Sequence, residues 1–511
     1  MVTEIITIMC FAAAYVLSLV KFMHFFQLNS YAPATQIRWM GKNRGKWMVN
    51  VILSCIAIIG ILFSQLWIAA AAFLWGAYLQ RPQKAKKPLV YTKRVQRMLI
   101  AEAVITAAVI ALTAVFADLK ILNIVFAFLY FASPLLAIAA NFINRPVEKS
   151  VNNHFINEAK KILKQCPDMT VIGITGSYGK TSVKYYLNTL LRAKYNVLMT
   201  PESYNTPMGV VMTVRQNLKA THEIFICEMG AKKVGEIKEI CDIVHPKHGI
   251  ITSIGPQHLE TFKSLDNVKS TKFEIADALP KDGILFLNGD DENIMSYNKN
   301  KDAVTYSMEN GDYTAFDISV SEKGTSFSVK APDGEIGNFT TKLIGTHNVL
   351  NITGAIAAAH TLGVTMTELK PQVRKLECVP HRLQLIDKGN ALIIDDAYNS
   401  NPSGTKAALD TLSLMTGYKI LVTPGMVELG EKQDECNREF GKNASKVCDY
   451  VILVGKRQTE SIKKGLEDGN YPEDKIYTAD TIGEAITKAY AVNAGGQKRT
   501  ILLENDLPDN Y

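Results

Sequence analysis

The chain has 511 residues, is 47% hydrophobic and carries a formal net charge of +7. This is room for about three structural units, several with their own cores. The charge is not a nucleic-acid footprint. Residues 1–145 hold 14 Lys and Arg against Glu4, Glu102 and Asp118, a local +11 that leaves the remainder near −4. The reading is therefore no nucleic-acid partner. Eight scattered cysteines form no C-x-x-C pair, which argues against a zinc ribbon or a thioredoxin-like site. Six of them follow residue 145 and read as small buried hydrophobes in a reduced, cytosolic compartment.

In chain order, the first element is the apolar run Ile5–Val20. Its flank has Glu4 and no basic residue, which does not suit a signal peptide. Trp47–Leu79 is apolar over 33 residues. As one helix it would be about 50 Å long, against a hydrocarbon core of roughly 30 Å. A break near Ser64-Gln65 would make it two short spans. Met98–Ala117 and Ile121–Ile143 complete a reading of five spans. Lys21, Arg38, Lys42, Arg44 and Lys46 fill one long loop. Arg81, Lys84, Lys86, Lys87, Lys93, Arg94 and Arg97 fill the next. With five spans both loops and Arg145 share one side, which the positive-inside rule makes the cytoplasm. The N-terminus is then outside and the rest of the chain inside, in a multi-pass protein of the plasma membrane. Residues 146–168 read as an amphipathic linker helix.

From Met169 short β-branched runs alternate with helices. "TVIGITG", "HEIFICEMG" and "HGIITSIG" predict strands, and Lys180–Ala193 predicts a helix. The pattern is that of an α/β domain with a mostly parallel sheet. Four runs within 302–345 read as antiparallel strands inserted into it, followed by a helix over "HNVLNITGAIAAAHTLG". Near residue 379 a second doubly wound unit begins, with strands at "ALIIDDAY", "KILVTPG", "YVILVG", "KIYTAD" and "RTILLEN". The expected division is 1–145 membrane, 146–168 linker, 169–378 nucleotide-binding, and 379–511 Rossmann-like.

The segment "GITGSYGKTS" (173–182) lies between a predicted strand and a predicted helix. Glycines let backbone N–H groups approach a phosphate, a Lys at the helix N-terminus neutralises it, and a Thr hydroxyl serves Mg²⁺. Thr175, Gly176, Ser177, Tyr178, Gly179, Lys180, Thr181 and Ser182 form that candidate loop. The spacing is T-G-x-x-G-K-T, shorter than the general phosphate-loop motif.

With "YNTPMGV" (204–210), "EMGA" (228–231), "HLETFKSLDNVKSTKFEI" (258–275), "LNGDDEN" (287–293), "GTHNVLN" (345–351), "HRLQ" (381–384), "DDAYNSNP" (395–402) and "GMVELGE" (425–431), the loop resembles the ordered motif set of the Mur ligases. The last two most resemble the family member that adds D-alanyl-D-alanine. The resemblance implies an ATP- and Mg²⁺-dependent ligase. ATP phosphorylates a carboxylate, and an amine attacks the acyl phosphate to give an amide, ADP and phosphate. It also implies roles. Lys180 neutralises the terminal phosphates. Thr181 and Glu228 ligate one Mg²⁺ and His258 a second. Lys272 is carbamylated and acts as an anion beside the metals. Asn348 contacts adenine, Asp395 the ribose, and Arg382 the terminal phosphate. Asn399 and Asn401 help hold the incoming amino compound, although Asn-Pro is also a common helix entrance. His381 stands where the family usually has Gly.

Two departures concern the substrate. Membrane spans replace the family's uridine-diphosphate-binding domain, and the end "ILLENDLPDNY" lacks the expected basic, glycine-containing sequence. The expectation is a cell-wall precursor acceptor, lipid-linked or a polymer made at the membrane, joined to an amino acid or dipeptide. The alternatives are a membrane-associated poly-γ-glutamate-like synthetase, a non-catalytic membrane scaffold, and a transporter.

Overall fold

The computed structural model describes residues 2–82, 87–398, 400–456 and 459–506. They form two compact units, one ending at His154 and the other spanning Phe155–Asp506.

The first unit is helical: α1 (Val2–Leu28), α2 (Pro33–Lys42), α3 (Arg44–Leu62), α4 (Leu66–Gln80), α5 (Lys93–Phe116) and the start of α6 (Leu119–Lys164). The break expected near Ser64-Gln65 is present. Ser64 adopts φ 60°, and Gln65 N–H donates to Gly60 O at 2.7 Å. That reversed bond is how a left-handed residue ends a helix. Helices α1, α3, α5 and α6 are long and apolar enough to cross a membrane. The fifth expected span, α4, has 15 residues, about 22 Å of helix, and falls short of a full hydrocarbon core. The expected first long loop holds α2. The linker helix expected over 146–168 is no separate element, because α6 runs through it for 46 residues despite Pro134 and Pro146. Inside the unit Asn50 Nδ2 donates to Ser18 Oγ (2.8 Å) and Ser133 Oγ (3.0 Å), and Gln80 Nε2 donates to Asn50 Oδ1 (2.6 Å). Small polar groups thus tie α1, α3, α4 and α6 together. Lys84 and Lys86 lie outside the described residues.

The second unit holds two sheets. The first contains β1 (Thr170–Thr175), β2 (Val197–Met199), β3 (Ile224–Glu228), β4 (His248–Ile251), β5 (Leu285–Asn288), β6 (Val304–Ser307), β7 (Tyr313–Ser321), β8 (Gly324–Lys330) and β9 (Ile336–Thr341), in the order β2-β3-β1-β4-β5-β6-β7-β8-β9. Strands β2 to β6 and β1 pair in parallel. Of the four runs expected to be an antiparallel insertion, only β7, β8 and β9 pair that way. Strand β6 is parallel to β5 because the helix α12 (Glu292–Tyr297) returns the chain to the same edge. It then meets β7 over two residue pairs only.

Helices cover both faces of this sheet. One face takes α7 (Lys180–Leu191), α13 (Thr346–Thr361) and α14 (Met366–Arg374), whose Leu187, Ile352 and Leu369 pack with Ile172, Ile174 and Ile250. The other takes α8 (Pro207–Asn217), α9 (Glu236–Val244) and α11 (Leu265–Ala278), through Val214, Ile240 and Ile275. The short α10 (Leu259–Phe262) precedes α11.

The second sheet has the order β10-β11-β15-β12-β13-β14. Its strands are β10 (Gln384–Asp387), β11 (Ala391–Asp396), β12 (Tyr418–Thr423), β13 (Tyr450–Val454), β14 (Ile476–Ala479) and β15 (Arg499–Glu504), with α15 (Pro402–Leu414), α16 (Gln433–Ala444), α17 (Glu460–Asp468) and α18 (Ile482–Ala491). All pair in parallel except the edge strand β10. All eight cysteines are free.

Helix α13 joins the first core to the nucleotide loop, and its Ile352 is fully buried. Ile352→Ala should lower the stability of the second unit by about 3 kcal/mol through lost contact and a residual cavity. Denaturant unfolding monitored on the full chain checks this. A change under about 1 kcal/mol would mean that α13 is not packed as described.

Candidate active site

Strand β1 ends at Thr175, whose hydroxyl donates to Met229 O (2.9 Å) and fixes the start of the loop. Gly176 has φ 149°, and a Cβ there would lie 2.1 Å from Thr252 Oγ1, so only glycine fits. Gly179 has φ 78° and caps α7, with Asn351 Oδ1 in the space a Cβ would need. Ser177 N–H donates to Ser253 O (2.7 Å) and Tyr178 N–H to Ser253 Oγ (2.8 Å). Those two amides shape the loop rather than face a ligand. The first-turn amides of α7, beginning at Lys180, have no acceptor within the helix, the arrangement from which helix N-termini bind anions.

Lys180 Nζ donates to Gly176 O (2.7 Å) and Ser177 O (3.1 Å). Burial pushes its pKa down to about 8. The Glu228 carboxylate opposes the fall, and the Arg382 guanidinium adds to it.

Glu228, the last residue of β3, is fully buried. Its Oε1 accepts from Thr181 Oγ1 (3.1 Å) and Asn205 Nδ2 (2.9 Å), and its Oε2 pairs with Lys184 Nζ at 3.0 Å. Lys184 is itself wholly buried and also donates to Glu202 O. Desolvation lowers its pKa and Glu228 counters this.

His258 adopts φ 50°, and its Nδ1 lies 2.6 Å from Glu428 Oε2 in the loop after β12. Burial lowers the imidazole pKa. A neutral ring donating from Nδ1 leaves Nε2 with a lone pair, the arrangement of a metal-binding histidine. Lys272 is 1% exposed, and among the described residues no hydrogen bond or ion pair holds its ammonium. Burial first, and Lys180 second, push its pKa well below the ordinary lysine value, against Glu236 and Glu274.

Across the second sheet, Arg382 stacks on the Tyr398 ring at 4.4 Å. His381 has φ 60°, the left-handed conformation that explains the expectation of glycine there. Its Nδ1 meets Asp395 Oδ2 at 2.7 Å. Behind it, burial raises Asp396 to about 6 and Glu504 to about 8. Glu504 accepts from the hydroxyls of Ser400 and of Thr423.

The structure thus gathers Lys180, Thr181 and Glu228 directly. His258, Lys272 and Arg382 each exchange a charge effect with Lys180. Ser182 lies in the first turn of α7. Asn348 is buried, accepting from Tyr186 OH (2.8 Å) and donating to Ile344 O (2.9 Å). Asp395 and Asn401 stand at the carboxyl edge of the second sheet. Asn401 Oδ1 caps α15 by accepting from Gly404 N–H (2.8 Å), the helix-entrance role. Asn399 lies outside the described residues. The sequence reading assigned nothing to Lys184, Asn205, Asn351 or Glu428. Lys184 carried a usable signal: it is a lysine within the apolar stripe of Val183, Leu187 and Leu191.

A glycine loop at a helix N-terminus, a lysine, and a hydroxyl–carboxylate pair at the edge of the first sheet suit a nucleotide-dependent enzyme of α/β architecture. Residues 174–359 match the Mur ligase middle domain, and residues 381–503 the Mur ligase, glutamate ligase domain. The chain is 33% identical over 341 residues to the UDP-N-acetylmuramoyl-tripeptide–D-alanyl-D-alanine ligase of Escherichia coli, covering 65% of this chain and 73% of that one. It is 34% identical over 290 residues to the Bacillus subtilis enzyme of the same name, covering 56% and 63%. Among solved structures, MurF from Acinetobacter baumannii aligns with a TM-score of 0.64 at 26% identity, over 70% of this chain and 77% of that one. MurF from Thermotoga maritima, in complex with ADP, aligns with 0.61 at 26%, over 70% and 80%. The chain belongs to the Mur ligase family, whose members are ATP-dependent, ADP-forming acid–amino-acid ligases.

Lys180 must be charged to hold a phosphate, and the free protein releases that proton near pH 8. Above that pH, ATP binding takes up a proton, so affinity should be flat from pH 7 to 8 and then fall up to tenfold per unit. Calorimetric titration of ATP between pH 7 and 9.5 checks this, and Lys180→Arg should flatten the profile. An unchanged slope in that variant would assign the titration to another group.

Proposed function

We propose that this chain is a membrane-anchored Mur-type ligase that activates a carboxylate of a cell-wall precursor with ATP and joins it to an amino acid or a D-alanyl-D-alanine-like dipeptide. The carrying observation is the buried Glu228 carboxylate facing the Thr181 hydroxyl, one residue after Lys180. In this reading residues 169–378 are a phosphate-loop nucleotide domain and 379–511 a Rossmann-like domain. Residues 1–145 anchor the protein, and 146–168 link the two.

In the chemistry proposed, the first-turn amides of α7 and the Lys180 ammonium orient the triphosphate. Arg382, braced on Tyr398, balances charge at the terminal phosphate. The Thr181 hydroxyl and the Glu228 carboxylate are hard oxygen donors that suit Mg²⁺, which when bound would neutralise phosphate charge, whereas the Nε2 of His258, a borderline donor, is read as a ligand from the family likeness alone. Lys272 is buried with its pKa pushed down, which favours the free amine that would take up CO₂. An N–C bond forms, the nitrogen loses one proton, and the neutral amine becomes a carbamate anion. Asn348 and Asp395 line the positions read for adenine and ribose. Asn401, whose oxygen caps α15, would offer only its amide N–H groups to the amino substrate. These ligand sets leave a non-catalytic scaffold without support.

The relatives named above act on a UDP-linked tripeptide. We infer a lipid-linked or membrane-made acceptor here, because four apolar helices of spanning length occupy the N-terminal part of this chain. Anchoring confines enzyme and acceptor to one surface and raises their effective concentration. Read as five spans, with α4 crossing as a short helix, both basic loops and the ligase domains lie on the cytoplasmic side, where ATP is available.

Purified full-length protein with ATP and Mg²⁺ should release ADP when given an amino substrate and a lipid-linked muramoyl peptide. Lys180→Ala should lower that rate at least a hundredfold. Turnover with UDP-N-acetylmuramoyl tripeptide alone would overturn the lipid-linked acceptor. Unchanged turnover in Lys180→Ala would overturn the nucleotide site.

A further inference from the structure

We propose that Lys184 is a positioning residue that makes Glu228 a one-oxygen metal ligand and so gives the site its preference for Mg²⁺ over larger divalent cations. The inference rests on the reading that Thr181 and Glu228 hold the metal.

The geometry is specific. Lys184 lies on α7, one turn beyond Lys180, and its ammonium is sealed from solvent. It sits 3.0 Å from Glu228 Oε2 and donates to the backbone oxygen of Glu202. Glu202 is itself in the left-handed region, φ 41°, which turns that oxygen inward. The same segment supplies Asn205, whose Nδ2 donates to Glu228 Oε1 and whose backbone oxygen accepts from Gly230 N–H at 2.7 Å. The carboxylate is therefore clamped in one rotamer. Oε2 is turned to a cation of the protein, and Oε1 is turned to Thr181.

The consequence follows from the sizes of the cations. Mg²⁺ demands near-octahedral geometry from single oxygens at about 2.0–2.1 Å, whereas Ca²⁺ takes six to eight ligands at about 2.3–2.6 Å and readily accepts both oxygens of one carboxylate. With Oε2 held by Lys184, Glu228 cannot chelate through both. Removing the ammonium frees the second oxygen and the rotamer, which benefits the larger ion. Burial of the lysine has a cost in desolvation, and the ion pair offsets it only because the geometry is good.

The test uses the full chain in detergent and reads ATP affinity by calorimetry with Mg²⁺ or Ca²⁺ as the only divalent cation. Wild type should bind ATP at least tenfold more tightly with Mg²⁺. Lys184→Met should bring the two affinities within about threefold, and Lys184→Arg should restore the preference. A folded Lys184→Met that keeps the wild-type ratio overturns the proposal. If that variant does not fold, wild type decides alone, because equal affinity with the two ions overturns it. Glu228→Gln separates the two readings. Loss of metal-dependent ATP binding supports the site, whereas wild-type metal dependence in this variant removes the site and the proposal with it.

Discussion

The Glu228 carboxylate is the constraint on which the rest of the site depends. A fully buried charge needs compensation: Thr181 and Asn205 donate to Oε1, and the Lys184 ammonium lies 3.0 Å from Oε2, which accepts no hydrogen bond among the described residues, as its ion-pair partner. Each arrives from a different direction. Strand β3 delivers the acid, α7 the hydroxyl and the ammonium, and the segment after β2 the amide. The carboxylate therefore fixes the position of α7 relative to the sheet, and α7 follows directly on the glycine loop.

Lys180 is the electrical centre of the same region. Burial dominates its lowered pKa, with Glu228 from the sheet opposing and Arg382 from the second domain adding to it, and its own charge adds to the burial that depresses His258 and Lys272. The first and second domains also touch through His258 and Glu428, at 2.6 Å. Two α/β halves thus contribute charged groups to one region around Lys180. A metal, a triphosphate and a carboxylate could all be balanced there by groups already present.

The sequence made β1, β3 and β4 of the first sheet and β11 to β15 of the second legible, as short apolar runs such as "TVIGITG" and "YVILVG", whereas β2 and β5, three and four residues long, went unread. It also marked the loop, since Gly176 and Gly179 occupy backbone conformations that a side chain would block. Partnership was less legible. Lys184 reads as one more helix lysine until Glu228 is brought beside it across 44 residues of chain, and Glu428 gains meaning only from His258. Strand β6 read as part of an antiparallel insertion because alternation of apolar residues does not encode strand direction. The length of α6 was also hidden, since Pro134 and Pro146 suggest breaks that the surrounding helix absorbs.

The most direct test of the central claim, that this site activates a carboxylate by phosphorylation, is isotope transfer. An acceptor carrying ¹⁸O in its carboxyl group, supplied as the muramoyl tripeptide in soluble or lipid-linked form, is turned over with ATP, Mg²⁺ and the amino substrate. The account predicts that each phosphate released carries one ¹⁸O from the acceptor. Phosphate free of label, from an enzyme that has formed the amide, would contradict it.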